Sequence, residues 1–123
     1  MDNLDELYIT LENASYKIQA LLNIRQLDHS SNILRLRQEA LDERLYALDM
    51  EAIRNGTDNL ALVYKRASRL QKNVISIIHE IEKADDLIHN LAKIVFQIDK
   101  VLEQINKCFF EKSDSKSKLD FCV

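Results

Sequence analysis

The chain has 123 residues, of which 46% are apolar and 30% charged, with a formal net charge of −3. One Gly and no Pro, against average usages of about 7% and 5%, leave little material for tight turns and exclude a turn-rich β-sandwich. A mildly acidic balance disfavours nucleic acid or an anionic membrane surface as the partner, and no apolar run is long enough to span a bilayer.

From the N-terminus, Asp2, Asp5 and Glu6 put negative charge where a first helical turn favours it. Leu4, Leu7, Leu11, Ala14, Ile18 and Leu21 then recur at helical spacing, predicting a first helix over about 2–27. Continuing that register would bring Arg25, Asp28 and Asn32 to the seam. Asp28-His29-Ser30-Ser31, rich in N-capping residue types, therefore reads as a helix end or sharp kink. A second pattern, Leu34, Leu41, Leu45, Leu48 and Ala52, predicts a helix over about 31–54. Asn55-Gly56 closes it with the chain's one Gly, and Thr57 or Asp58 caps the next helix.

The strongest pattern runs from Leu60 to Phe109. With Leu60 at heptad position a, the a positions are Leu60, Ala67, Val74, Ile81, Ile88, Val95, Leu102 and Phe109. The d positions are Val63, Leu70, Ile77, Ala84, Leu91, Ile98 and Ile105. All fifteen are apolar, which predicts one long third helix over about 58–111, roughly 75 Å if its 50-residue stripe is unbroken. A break near Lys83-Ala84-Asp85-Asp86 would give four helices instead, but the unbroken phase favours continuity. Up to Glu80 the g positions are polar; from Leu87 they become Leu87, Ile94, Val101 and Cys108, widening the stripe as in a bundle with several neighbours. The expected architecture is all-α: an antiparallel bundle or coiled-coil hairpin of about three helices in one domain over 1–111. A tail over 112–123 opens with the polar run Lys112-Ser113-Asp114-Ser115-Lys116-Ser117-Lys118, which reads as disordered.

A stripe this broad expects a cover. Leu87, Leu91, Ile94, Ile98, Val101 and Ile105 are the candidate partner-binding residues, with another protein or a second copy in a homodimer as the cover. Replacing Ile94 and Val101 with Glu is expected to abolish assembly and leave the fold, unless the stripe is intramolecular core. Lys65, Arg66, Arg69 and Lys72 form a short basic cluster with an alternative reading as a phosphate-binding site of nucleic acid or a lipid surface. The plainer reading pairs them with Glu39, Asp42, Glu43, Asp49 and Glu51 across a hairpin turned at Gly56.

His79, Glu82, Asp86 and His89 share one helix face, but at the positions farthest from the seam, where a solvated polar face is the ordinary pattern. Carboxylate-bundle metal sites point inward instead. Cys108 and Cys122 lack zinc-site spacing, and with an acidic N-terminus unlike a secretory signal reduced thiols and cytoplasmic residence are expected. No Gly-rich phosphate loop, nucleophile elbow or recognisable Cys–His pair occurs. The chain thus reads as a non-enzymatic helical interaction module (an adaptor, complex subunit or export-type chaperone) with no cofactor.

Overall fold

The first helix begins where the sequence places its acids. The Asp2 carboxylate accepts hydrogen bonds from the backbone N–H groups of Leu4 (3.1 Å) and Asp5 (3.0 Å), satisfying donors that a helix start leaves open. A computed structural model describes residues 2–24, 29–56, 59–83 and 87–110, with side-chain surroundings for all of these except 24, 29–30, 87–90 and 110. Five α-helices follow in order: α1 Asn3–Ile24, α2 His29–Ala47, α3 Met50–Asn55, α4 Leu60–Glu82 and α5 Leu87–Ile105, with a π-helical turn over Asn106–Phe110. No strand occurs among the described residues. The expected tail over 112–123 lies outside them.

Polar contacts between helices set their directions. Asn3 donates to the Tyr64 carbonyl (3.1 Å) and Gln71 to Thr10 Oγ1 (3.2 Å), both 61 residues apart, and Lys17 Nζ lies 3.5 Å from Glu82. A near-constant offset means that α1 and α4 run parallel. The same reasoning makes α2 and α5 parallel, through Arg37–Asp99 (2.6 Å) and Arg44–Asn106 (2.6 Å). Glu80–Lys93 (3.0 Å) and Asn73–Gln104 (2.8 Å) make α4 and α5 antiparallel. Contacts of α1 with α2 and α4, and of α5 with α2 and α4, close a four-helix ring. It is two antiparallel hairpins laid side by side, with α2 and α4 on a diagonal. The short α3 crosses the bundle end to connect them.

Three sequence expectations change here. The long third helix is two helices: α4 ends at Glu82, with the N–H of Lys83 bonded back to the His79 carbonyl, and α5 returns antiparallel. The second helix stops at Ala47 rather than 54, because Asp49 caps a new helix by accepting from the N–H of Ala52 (3.1 Å). Asn59 caps α4 by accepting from the N–H of Leu62 (3.1 Å), while Thr57 and Asp58, expected in that role, lie outside the described residues. Gly56 does stand at a helix C-cap, but with φ −91°, so it supplies no left-handed conformation. It supplies room: a Cβ there would sit 3.0 Å from the Ala52 carbonyl oxygen.

The core is built from the stripes the sequence displays. Leu4, Leu7, Leu11, Ala14, Ile18 and Leu21 of α1 are buried, as are Leu34, Leu41 and Leu45 of α2 and Val63, Ala67, Leu70, Val74 and Ile77 of α4. In α5 the buried set is Leu91, Ile94, Ile98, Val101 and Ile105. These are positions d and g of the heptad, whereas α4 buries a and d; Val95 and Leu102, at a, are only partly buried. The apolar g positions that widen the stripe after Leu87 are thus the inward face of a separate helix set at a different rotation.

Candidate functional site

The residues expected to bind a partner are where the molecule is driest. Ile94, Ile98 and Ile105 are fully buried, with Val101 and Leu91 nearly so. Each stabilises the fold by about 1.5–3 kcal/mol through burial alone. Folding α5 back onto α4 covers this face from within the chain, so it offers no free surface to a second protein. The side-chain surroundings of Leu87 lie outside those described.

The basic cluster divides. Lys65, Arg69 and Lys72 are exposed on the outer face of α4, and none carries an ion pair among the described residues. Arg66 turns the other way and is 7% exposed. The expected acidic partners do not reach them, since α2 lies diagonal to α4. Asp42 instead accepts from the Ser15 hydroxyl, Asp49 caps α3, and Glu43 lies 3.8 Å from Arg44. Of the metal-type residues on α4, His79 is exposed and Glu82 pairs with Lys17. Among the described residues no group of three His, Cys, Asp or Glu side chains could hold a metal ion.

The first hairpin carries a surface to which the helical period does not point. Between α1 and α2 runs an open groove of about 380 Å³, walled by Tyr8, Tyr16 and Tyr46 with Glu12 and Asp42 between them. Its floor is tied together, with Ser15 Oγ donating to Asp42 and Gln38 Nε2 to the Ser15 carbonyl (3.4 Å, a weak bond). Tyr16 is 77% exposed and Tyr46 92%, so neither ring serves the core. Tyrosine concentrates at interfaces because it offers a large, stiff apolar face with a polar tip. With carboxylates interleaved, these rings can receive a cation on their faces and pair its charge. The signal was present in the sequence as apolar residues off the stripe: Tyr16 and Tyr46 fall at positions that the α1 and α2 periods leave wet.

The opposite face, between α4 and α5, has a groove of about 510 Å³. There Lys100 Nζ stands 4.8 Å from the centre of the Phe96 ring, and Phe96 is 58% exposed. The two hairpins differ in charge as well: residues 1–47 hold eight acidic and five basic side chains, residues 60–110 six and eight.

At the bundle end, Arg54 of α3 grips the start of α1. Its Nε and Nη2 take the two oxygens of Asp2 side-on (2.6 and 2.9 Å), and Nη2 also reaches Asp5. The Tyr64 hydroxyl donates to Asp2 at 3.3 Å. Hydrogen bonds from Arg54, then from the backbone N–H of Asp5, hold the Asp2 carboxyl well below its usual value of 3.8. A carboxyl depressed on folding contributes stability that is complete above its unfolded value and is lost as pH falls through the folded one. Asp2→Asn is therefore expected to flatten the fall in melting temperature below about pH 4 relative to wild type. Parallel curves for the two proteins over that range would show that the clamp adds nothing to stability.

Cys108, half-buried in the π-helical turn, is disulfide-bonded, which corrects the expectation of reduced thiols. The other cysteine, Cys122, lies outside the described residues. No described helix is long and apolar enough to cross a membrane.

The fold is therefore an all-α helical bundle. Compared with protein families, with curated proteins and with solved structures, the chain matches none.

Proposed function

We propose that this chain is a non-enzymatic helical interaction module, an adaptor, complex subunit or export-type chaperone, that docks a basic partner segment in the α1/α2 groove. One observation carries the reading: Tyr16 and Tyr46 stand exposed beside Glu12 and Asp42, apolar area that the core does not use next to negative charge with no ion pair among the described residues. The homodimer suggested by the sequence needed the α5 stripe to be open, and that driving force goes once α5 packs on α4. A disulfide at Cys108 also fits an oxidising compartment better than the cytoplasm.

Titration with a Lys/Arg-rich amphipathic peptide tests the reading. Tyr16→Ala/Tyr46→Ala is expected to weaken binding by at least about 30-fold, the effect of losing one interface hot spot of about 2 kcal/mol. Glu12→Gln should make binding less sensitive to salt. Both changes lie on the surface and should leave the melting temperature in place. Equal affinity of wild type and the double-tyrosine variant would sink the groove as the site.

A second reading keeps a specific observation behind it: Lys65, Arg69 and Lys72 are exposed on one face of α4, without an ion pair among the described residues. Retention on heparin that falls with salt, and is lost in the triple Ala variant, would favour phosphate binding there.

A further inference from the structure

Arg66 is the one arginine in the described core, and one edge of its guanidinium has no partner among the described residues. Its side chain is 7% exposed, and its Nε and Nη2 are buried with no hydrogen-bond partner among the described residues. It lines a cavity of about 240 Å³ at the bundle end, walled by Ala52, Ile53 and Gly56 from the α3 side, Val63 from α4, and the disulfide-bonded Cys108 with Phe109 from the π-helical turn. No acidic side chain is among the described residues lining it. We infer that this cavity is an oxyanion-binding site, in which the Nε–Nη2 edge of Arg66 takes a carboxylate or phosphate group side-on.

The geometry has an internal standard. Arg54, at the same end of the bundle, uses the same two nitrogens to hold both oxygens of Asp2. That fork matches the spacing of two oxygens on one carboxylate or phosphate, which is why arginine serves such groups. At Arg66 the same fork faces no carboxylate among the described residues. A guanidinium stays charged at any ordinary pH, so it cannot relieve its burial by losing a proton. An unpaired buried charge is among the costlier features a fold can carry, and a buried polar group without a partner calls for an ion or water to complete it. A small oxyanion in the adjoining cavity supplies both the counter-charge and the acceptors. This site is independent of the tyrosine groove, which lies along the outer face of α1 and α2.

The test is thermal unfolding of the full chain in potassium phosphate, in potassium acetate and in potassium chloride at matched ionic strength. At ten times its dissociation constant, a bound anion raises the folding constant about 11-fold, read as a melting temperature a few degrees above that in chloride. Arg66→Met is expected to remove this difference and, in chloride, to melt no lower than wild type, since an unpaired buried cation is gone. Should Arg66→Met fail to fold, Ala52→Leu, at an exposed position on the cavity rim, is expected to remove the anion effect while keeping the arginine. A rise in phosphate alone assigns the site to phosphate groups, and a rise in both anions assigns it to carboxylates as well. No rise in either anion, or an equal rise in wild type and both variants, overturns the inference.

Discussion

Ile94→Glu/Val101→Glu is expected to unfold the chain rather than to release a partner. Ile94 is fully buried and Val101 1% exposed. Truncating side chains of this kind costs about 2–5 kcal/mol for a large aliphatic one, with less for Val. Two carboxylates in the same apolar layer add a desolvation cost of several kcal/mol. Against a total stability of about 5–15 kcal/mol for a domain, the sum leaves no folded state. Loss of the helical circular dichroism signal, with no urea transition, is the expected result. Phe96→Glu on the same helix is the control: at 58% exposed it should move stability by no more than about 0.5 kcal/mol. A double variant that stays folded with wild-type stability would return the α5 stripe to the surface, and with it the partner-binding role expected of Leu91, Ile94, Ile98, Val101 and Ile105.

Spin labels at Ser76 and Lys100 are expected to report a short distance, because both residues line the same groove between α4 and α5. Had residues 58–111 formed one helix, those 24 positions would lie roughly 36 Å apart at 1.5 Å per residue. The two architectures thus differ by more than the reach of the label linkers. Both side chains are exposed, so labelling should leave the core intact. A distance distribution centred near 36 Å would establish the continuous helix and dismantle the second hairpin.

Much of the fold was legible because helical period is a local property. Each α1 residue from Leu4 to Leu21 that the spacing marked as inward is buried, and so are Leu34, Leu41 and Leu45 in α2. Boundaries were less legible where several capping residues competed. Asp49 ended the second helix early and Asn59 caps α4, outcomes that depend on which side chain finds a free N–H. The break between α4 and α5 left a trace in the sequence: from Leu87 the stripe gains apolar g positions, and the face that α5 buries is d and g where α4 buries a and d. A single straight helix has no reason to rotate its buried face there, whereas two helices with separate neighbours do.

The candidate sites were harder to read. Tyr16 and Tyr46 show in the sequence as apolar residues off the α1 and α2 stripes, but that they wall one groove with Glu12 and Asp42 depends on how α1 and α2 pack. Arg66 cannot be told from Lys65 or Arg69 by composition or spacing; its burial follows from the rotation of α4 and from α3 crossing the bundle end.

By itself the sequence determined the all-α class, the inward faces of α1 and of most of α4, and the absence of any membrane-spanning stretch, since those follow from periodicity and composition along the chain. The tertiary structure alone decided that the second half is a hairpin, that its broad apolar stripe is core, that the α4 cations lack the partners expected for them, and that one arginine is buried with no hydrogen-bond partner for two of its nitrogens among the described residues. Each of these depends on which helices become neighbours. Neighbour choice is set by packing between segments about 60 residues apart, and a pattern of seven residues carries no information about that.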